Sequence, residues 1–291
     1  MEQPRRWTYR ERRYSAQDGL SLYFRDYGDP ASDELPVLCL TGLTRNSKDY
    51  HHLACRLTSR RVVCLDYRGR GRSDHDTDYR HYEPRTYISD IVQLLALINA
   101  HRLIVIGTSL GGILAMILGA VQPFSLAGVI LNDIGPEIPN ASTERIASYV
   151  GTLDPLPNWD AAIAFLRTNY GAVYPDFDDG GWRRMAETTF TLDQAQRPCI
   201  DYNPQIAKTI HSAADEGAPR LWDFFGTLRQ IPTLSIRGAL SDVLSRETFD
   251  AMALAKPDLV RLEVPNRGHT PLLDEPACVD VIDRFLIELG S

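Results

Sequence analysis

Short apolar runs recur along the chain, and their spacing predicts a β-sheet. Each run has about the length of a strand, and the most apolar ones indicate strands buried on both faces. The runs are 37–41, 61–66, 103–107, 128–132, 233–237 and 259–264, and helix-like segments at 47–58, 86–99 and 110–121 lie between several of them. In the segment 86–99, Thr86 is a plausible N-cap. This alternation predicts a mostly parallel sheet with helices on both faces.

Two further parts of the chain depart from this alternation. Residues 8–15 and 20–27 predict an antiparallel hairpin at the sheet edge that turns at Asp18-Gly19, which gives eight strands. After Asn132 the strand pattern stops, and it resumes near Ile231. Helical pieces broken by prolines lie between these points, at 142–150, 159–170, 181–190, 204–213 and 219–228. We therefore predict one α/β core, 1–135 and 229–291, with an inserted all-helical cap, 136–228.

Composition restricts the classes of function. The chain has 291 residues, 44% hydrophobic and 24% charged, which is typical of a soluble globular protein. A net charge of −7 argues against a basic face for nucleic acid. The N-terminus has no apolar secretory region, and no stretch is long and apolar enough for a membrane helix. Five widely spaced cysteines indicate buried thiols rather than disulfides, so we expect a cytoplasmic protein.

The segment Gly107-Thr-Ser-Leu-Gly111 places Ser109 between a buried strand and a helix. It fits G-x-S-x-G, the pattern of a sharp turn that exposes a nucleophilic serine at the carboxyl edge of a sheet. The helix N-terminus that follows would offer amide donors to a developing oxyanion, Leu110 first. A glycine-rich turn that serves only packing is the alternative. A phosphate-binding loop is excluded, because no Gly-Lys-Ser/Thr follows.

A serine nucleophile needs a base, and His269 is the strongest of seven candidates. It lies in a loop after the run 259–264, where a histidine can reach the same sheet edge. An orienting acid should follow another strand. Asp242, after 233–237, gives the chain order Ser, Asp, His, while Asp133, after 128–132, is the alternative acid. Asp242 is favoured.

The remaining candidates concern the oxyanion and metal ions. The segment Thr41-Gly-Leu-Thr-Arg45 follows the run 37–41, so the amide of Leu43 is the second candidate oxyanion donor. No Cys/His set has zinc spacing, and the acidic run 74–78 lacks the glycine and glutamate of a calcium loop. No metal and no cofactor are expected.

These motifs resemble those of the α/β-hydrolase superfamily, in its members with a helical cap, over the whole chain. The resemblance rests on the stretches LTGLTRNS, DYRGRGRS, GTSLGG, RGALSD and NRGHTPLLDEP. It implies Ser109 as nucleophile, Asp242 as acid, His269 as base, and Leu43 and Leu110 as oxyanion amides. Many relatives carry His-Gly in the oxyanion loop, whereas this chain has Thr41-Gly42. A serine at 109 argues against relatives that use a carboxylate nucleophile, such as haloalkane dehalogenases and epoxide hydrolases.

The expected function is hydrolysis of a small or medium carboxylic ester or lactone through an acyl-enzyme. Aromatic residues of the cap, including Trp159 and Trp182, predict a mainly apolar pocket. Arg45 could meet a polar group of the substrate, although a structural role is favoured. A C–C bond hydrolase acting on a ring-cleavage product and a ligand-binding receptor with a vestigial triad are the alternatives. The partner is a small-molecule substrate, without nucleic acid or membrane, and the protein is expected to be a monomer or homodimer.

Overall fold

The predicted strands form a continuous sheet in the core of the protein. The computed structural model describes residues 9–215 and 220–290, without the side chains of residues 211–215. Residue 8 of the predicted hairpin and residue 219 of a predicted helix lie outside the described part. Eight described strands form the sheet in the order β1-β2-β4-β3-β5-β6-β9-β10. They are β1 (Arg10–Ser15), β2 (Ser21–Tyr27), β3 (Val37–Leu40), β4 (Val62–Leu65), β5 (Leu103–Thr108), β6 (Leu126–Asn132), β9 (Thr233–Gly238) and β10 (Val260–Val264).

The sheet is mostly parallel, as predicted. Strand β2 runs antiparallel to both β1 and β4, and the other neighbouring strands are parallel. The register places Thr108 beside Asn132, and Asn132 beside Ile236. The ends of β5, β6 and β9 therefore lie level at one edge, so the residues that follow these strands are brought together.

The four central strands β3, β4, β5 and β6 are buried along almost their whole length, which fits the unbroken apolar runs of the sequence. Two separate hydrophobic clusters cover the two faces of the sheet. Cys39 and Cys64 are paired in register on adjacent strands, and all five cysteines are free thiols. Cys39, Cys55, Cys64 and Cys278 are buried as predicted, whereas Cys199 is only partly buried.

Helices connect the strands and cover the sheet. They are α1 (His51–Arg56), α2 (Pro84–Leu97), α3 (Leu110–Val121), α4 (Asn140–Tyr149), α5 (Trp159–Tyr170), α6 (Asp179–Thr189), α7 (Ile206–Asp215), α8 (Leu221–Thr227), α9 (Arg246–Ala255) and α10 (Pro276–Leu289). Helix α2 begins earlier than predicted: its N-cap is Glu83, not Thr86, because Pro84 at the first helical position is already fixed at a helical φ. Among the described residues, no helix has the length and apolar character needed to cross a membrane.

Residues 136–228, which we call the inserted segment, lie between β6 and β9 and contain α4 to α8. The prediction that this segment is all-helical is wrong in one detail. Strands β7 (Phe190–Leu192) and β8 (Pro198–Ile200) pair as an antiparallel hairpin. With three residues each, these strands are too short to give a periodic signal in the sequence. The segment has a hydrophobic cluster of its own, and its proposed boundaries as a separate cap domain remain a prediction.

Candidate active site

Ser109 lies in the connection between β5 and α3. Its backbone has φ 53° and ψ −117°, a conformation that non-glycine residues rarely adopt. The two flanking glycines allow the turn. A Cβ on Gly107 would lie 2.3 Å from the carbonyl oxygen of Gly111, and a Cβ on Gly111 would lie 1.9 Å from that of Leu40. The Ser109 amide donates to the carbonyl oxygen of Asn132 (3.1 Å), which ties the turn to the end of β6.

His269 links Ser109 to a buried aspartate. The Nε2 atom of His269 lies 2.9 Å from Ser109 Oγ, and its Nδ1 atom lies 2.7 Å from Asp133 Oδ2. Asp133 is fully buried. Its Oδ1 accepts a hydrogen bond from the Gly238 amide (2.7 Å), and its Oδ2 accepts another from the Ser241 hydroxyl (2.6 Å). Protein donors therefore replace water around this carboxylate, and a hydrogen-bonded chain runs from serine through histidine to aspartate.

The expectation that Asp242 orients His269 is wrong, and the alternative acid Asp133 occupies that position. Asp242 follows β9 as predicted, but its side chain is 49% exposed and its Oδ2 accepts from Arg145 Nε (2.7 Å). The loop turns at the preceding residue. The hydroxyl of Ser241 accepts from the amides of Val243 and Leu244 (both 3.2 Å), which directs Ser241 toward Asp133 and leaves Asp242 facing solvent.

Two backbone amides are candidates for an oxyanion hole beside Ser109. Gly42 is near the serine, since a Cβ on Gly42 would lie 3.7 Å from Ser109 Cβ. The Arg45 amide donates to the Gly42 carbonyl oxygen (3.2 Å) and closes a turn. The Leu43 amide lies within this turn and takes no part in the hydrogen bond that closes it. Leu110 is the first residue of α3, where the first amides have no acceptor within the helix. The roles of Leu43 and Leu110 remain predictions.

The stretch DYRGRGRS, which follows β4, contacts and supports the oxyanion loop. Arg70 is fully buried, and its Nε donates to the carbonyl oxygen of Leu43 (2.9 Å). Asp66 accepts from the amides of Ser47 (2.6 Å) and Arg72 (2.9 Å). Burial raises the pKa of the Asp66 carboxyl, and the two amides act in the opposite direction. These contacts fix the loop that carries the Leu43 amide.

Arg45 connects the oxyanion loop to the inserted segment. Its Nε and Nη2 atoms donate to the two carboxylate oxygens of Asp49 (2.8 and 2.5 Å). Its guanidinium also donates to the hydroxyls of Thr188 (2.9 Å) and Thr189 (2.5 Å), at the end of α6. These partners support the structural role for Arg45 that the sequence favours over substrate binding.

The two tryptophans proposed as pocket residues belong to the hydrophobic cluster of the inserted segment. Trp182 is 4% exposed and packs its ring against Tyr174 and Phe177. Trp159 is partly buried against the same cluster. The ring of Trp182 packs in the interior of the segment, and its contact with a substrate remains a prediction. Trp159 packs in the same cluster.

Sequence reasoning did not identify three residues that support the site. Ser241 donates to Asp133 (2.6 Å). Asn132 donates from Nδ2 to the Thr108 hydroxyl (3.1 Å) and to the Pro271 carbonyl oxygen (2.9 Å), so it bridges the loops of Ser109 and His269. Tyr174 contacts the histidine loop from the inserted segment. Asn132 and Ser241 directly precede the two candidate acids, and that adjacency is the only sequence signal for them.

One described group of side chains has the spacing of metal ligands. It consists of Asp18, Asp76 and His81. Arg68 already occupies this group: its Nη1 donates to Asp18 (2.7 Å) and to Asp76 (2.6 Å). A guanidinium cation at this position supplies the positive charge that a metal would bring, so the group is an ion-pair cluster.

Fold and site together define a class: an α/β protein with a serine on a strained turn at the sheet edge and a histidine–aspartate pair beside it. Residues 37–280 match the model of the alpha/beta hydrolase family. The match covers more than half of the chain, and the chain therefore belongs to the alpha/beta hydrolase family. The fold and superfamily predicted from the sequence motifs are confirmed.

Individual relatives agree with this assignment. A 3-hydroxybutyrate-oligomer hydrolase of Cupriavidus necator is 32% identical over 275 residues, which cover 91% of this chain and 92% of the relative. A 2-(acetamidomethylene)succinate hydrolase of Mesorhizobium japonicum is 26% identical over 236 residues, or 80% and 81%. The crystal structure of an alpha/beta hydrolase from Novosphingobium aromaticivorans has a TM-score of 0.91 at 40% identity, covering 96% of this chain and 98% of that one. Hydrolysis is the class of activity that the family and these relatives support.

Proposed function

We propose that this protein is a serine ester hydrolase that works through an acyl-enzyme on Ser109. The proposal is carried by the hydrogen-bonded chain from Ser109 Oγ to His269 Nε2 (2.9 Å) and from His269 Nδ1 to Asp133 Oδ2 (2.7 Å). In this arrangement Ser109 is the nucleophile and His269 is the base. Asp133 holds the imidazole in the tautomer that leaves Nε2 free to accept a proton.

The proposed reaction has two halves. His269 takes the proton of Ser109 while Ser109 Oγ attacks the ester carbonyl carbon, and the amides of Leu43 and Leu110 stabilise the oxyanion. The leaving alcohol receives that proton from His269, which gives the acyl-enzyme. Water, deprotonated by His269, then attacks the acyl carbon. The bond from that carbon to Ser109 Oγ breaks, Ser109 Oγ takes the proton back from His269, and the acid is released. The loss of one oxyanion donor in such a site costs about 3 kcal/mol of transition-state stabilisation.

Within the broader class of small or medium esters and lactones, we propose esters of short hydroxyacid oligomers as the first substrates to test. The support is the Cupriavidus necator relative, named a 3-hydroxybutyrate-oligomer hydrolase, which matches this chain over 91% of its length. The inserted segment is proposed to act as a cap over the site. Its contacts with the oxyanion loop through Arg45 and with the histidine loop through Tyr174 support this role.

The test combines covalent labelling with a substrate panel. A fluorophosphonate probe, mapped by mass spectrometry, is expected to label Ser109. Hydrolysis of p-nitrophenyl esters, lactones and linear 3-hydroxybutyrate dimers and trimers is then compared between the wild type and Ser109→Ala. We expect Ser109→Ala to lower kcat by at least about 10⁴-fold. Ser125→Ala is the matched control, because Ser125 lies in the turn that follows α3, toward the opposite edge of the sheet. The activity of the Ser125→Ala variant should equal that of the wild type.

Three outcomes would contradict the proposal. Ester hydrolysis that persists in Ser109→Ala would remove Ser109 from the mechanism. Turnover of dienoic ring-cleavage products without ester hydrolysis would favour a C–C bond hydrolase. Tight ligand binding without multiple turnover would favour a receptor.

A further inference from the structure

The loop that carries His269 is held on both sides of the histidine by one short stretch of the inserted segment. On one side, the Gly268 amide donates to the carbonyl oxygen of Val173 (2.8 Å). On the other side, the Tyr174 hydroxyl donates to the carbonyl oxygen of Thr270 (2.8 Å) and accepts from the Thr270 amide (2.9 Å). Two consecutive residues of the inserted segment thus bind the two backbone neighbours of His269.

The backbone of this loop is packed too closely to shift without a cost. A Cβ on Gly268 would lie 2.4 Å from the Cβ of Val173. From the opposite direction, a Cβ on Gly238, at the end of β9, would lie 2.5 Å from the carbonyl oxygen of Gly268. The loop therefore lies between the sheet and the inserted segment, with backbone contact on both sides.

A salt bridge adds a third contact from the same stretch. Arg267 Nη1 donates to Asp176 Oδ1 (2.5 Å), and its guanidinium lies 5.2 Å from the centre of the Phe177 ring. Arg267 Nε donates to Glu275 (2.7 Å), just before α10. Arg267 thus joins the inserted segment, the histidine loop and the last helix of the core.

Tyr174 itself is rigidly placed. Its side chain is 4% exposed, and its ring packs against Phe177, with ring centres 4.8 Å apart, and against Trp182. Burial raises the pKa of its hydroxyl well above the usual value for tyrosine. The hydroxyl therefore stays protonated over the working pH range, and it remains both donor and acceptor for Thr270.

We propose that Tyr174 is a positioning residue for His269, so that docking of the inserted segment on the core completes the placement of the base. This inference rests on the proposed function, because it concerns the base of that same triad. Tyr174 touches neither Ser109 nor the reacting atoms in this scheme, and it acts through the backbone of Thr270. Docking of the segment and assembly of the triad are then one event.

Tyr174→Phe is the direct test, because it keeps the ring in the cluster and removes only the hydroxyl. Tyr202→Phe is the matched control: Tyr202 also lies in the inserted segment, and its hydroxyl accepts from the Gly151 amide (3.0 Å), away from His269. Rates are normalised to the active-site concentration from burst titration. We expect Tyr174→Phe to lower kcat, and the rate of Ser109 phosphonylation by a fluorophosphonate, by roughly 10- to 100-fold with little change in KM. Tyr202→Phe should match the wild type in both.

A normalised kcat and phosphonylation rate of Tyr174→Phe within twofold of Tyr202→Phe would overturn the inference. Asp176→Asn gives a second measurement if Tyr174→Phe folds poorly. The Asp176 side chain is 48% exposed, so we expect its replacement to disturb folding little and to lower kcat by about threefold through the weakened contact with Arg267. No loss in Asp176→Asn would likewise count against the inference. Failure of the proposed function is seen separately, when the wild type and Ser109→Ala hydrolyse esters at the same rate.

Discussion

The two halves of the candidate site are built differently. Ser109 and Asp133 follow β5 and β6, adjacent strands that are buried along almost their whole length. Their backbones are tied to neighbouring strands, since the Ser109 amide binds the Asn132 carbonyl oxygen (3.1 Å) and the Asp133 amide binds that of Ile236 (2.7 Å). His269 follows β10, a strand at one edge of the sheet with two of its five residues exposed. Core residues contact its loop at Pro271 and Arg267, and Val173, Tyr174 and Asp176 of the inserted segment hold it from the other side.

This difference suggests that the sheet alone fixes the nucleophile and the acid, whereas placement of the base also requires the inserted segment. The positions of nucleophile and acid depend on the register of strands inside two large hydrophobic clusters. The position of the base depends also on a small cluster within the inserted segment, whose buried members number six. Because smaller clusters bury less apolar surface, opening of the inserted segment should need less free energy than opening of the sheet. The histidine loop would then be the first part of the site to lose its geometry.

The largest expected effect comes from the acid on the core side. Asp133→Asn keeps the shape of the side chain but can no longer hold His269 in the tautomer that accepts the Ser109 proton, so kcat should fall by about 10⁴-fold. Asp242→Asn is the matched control one strand away, and its kcat should stay within twofold of the wild type, because Asp242 pairs with Arg145 near the surface. Steady-state kinetics on one ester substrate measures both. The opposite ranking of the two variants would return the acid role to Asp242.

Much of the fold could be predicted from the sequence, because the buried strands have a strong signal. The run 233–237 became β9 (Thr233–Gly238), and the segment 159–170 became α5 with the same ends. The central strands are apolar on both faces, which few other structures require. The hairpin of β7 and β8 escaped prediction, since its strands have three residues each and its Phe190–Leu192 strand continues directly from α6.

The site was predictable where a local motif, or a position directly after a strand, defines the geometry. Ser109 has flanking glycines and a strand–helix context, which the sequence displays directly. The choice between Asp133 and Asp242 depends instead on which side chain turns inward, and the hydrogen bonds of Ser241 to Val243 and Leu244 decide it. Tyr174 is 95 residues from His269 along the chain, and nothing in the sequence connects them.

The second prediction tests the side that the inserted segment supports. Gly268→Ala places a Cβ 2.4 Å from the Val173 Cβ, so the histidine loop must move away from the inserted segment. A displacement of about 1 Å at a reacting group can cost about 100-fold, and we expect a loss of kcat of that order. Gly171→Ala is the control, because a Cβ on Gly171, in the same stretch of the inserted segment, meets nothing within 4 Å. Equal activities of the two variants in the same assay would mean that the close packing does not hold His269.

The smallest effect on kcat is expected at Ser241, because Asp133 keeps other hydrogen-bond donors when the Ser241 hydroxyl is removed. Ser241→Ala removes the hydroxyl that donates to Asp133 Oδ2 (2.6 Å), while the Gly238 amide and His269 remain as donors. A hydrogen bond to a charged group contributes about 1.5–3 kcal/mol, so with two donors left we expect roughly a tenfold loss of kcat. Ser142→Ala is the matched control, since its hydroxyl donates to the Asp242 carbonyl oxygen (2.5 Å) in the same loop without touching Asp133. If both variants lose activity equally, the loop after β9 contributes through its general conformation and not through the hydrogen bond from Ser241 to Asp133. If only Ser241→Ala loses activity, and loses less than Gly268→Ala, then the acid is held by several core contacts while the base depends on its fit against the inserted segment.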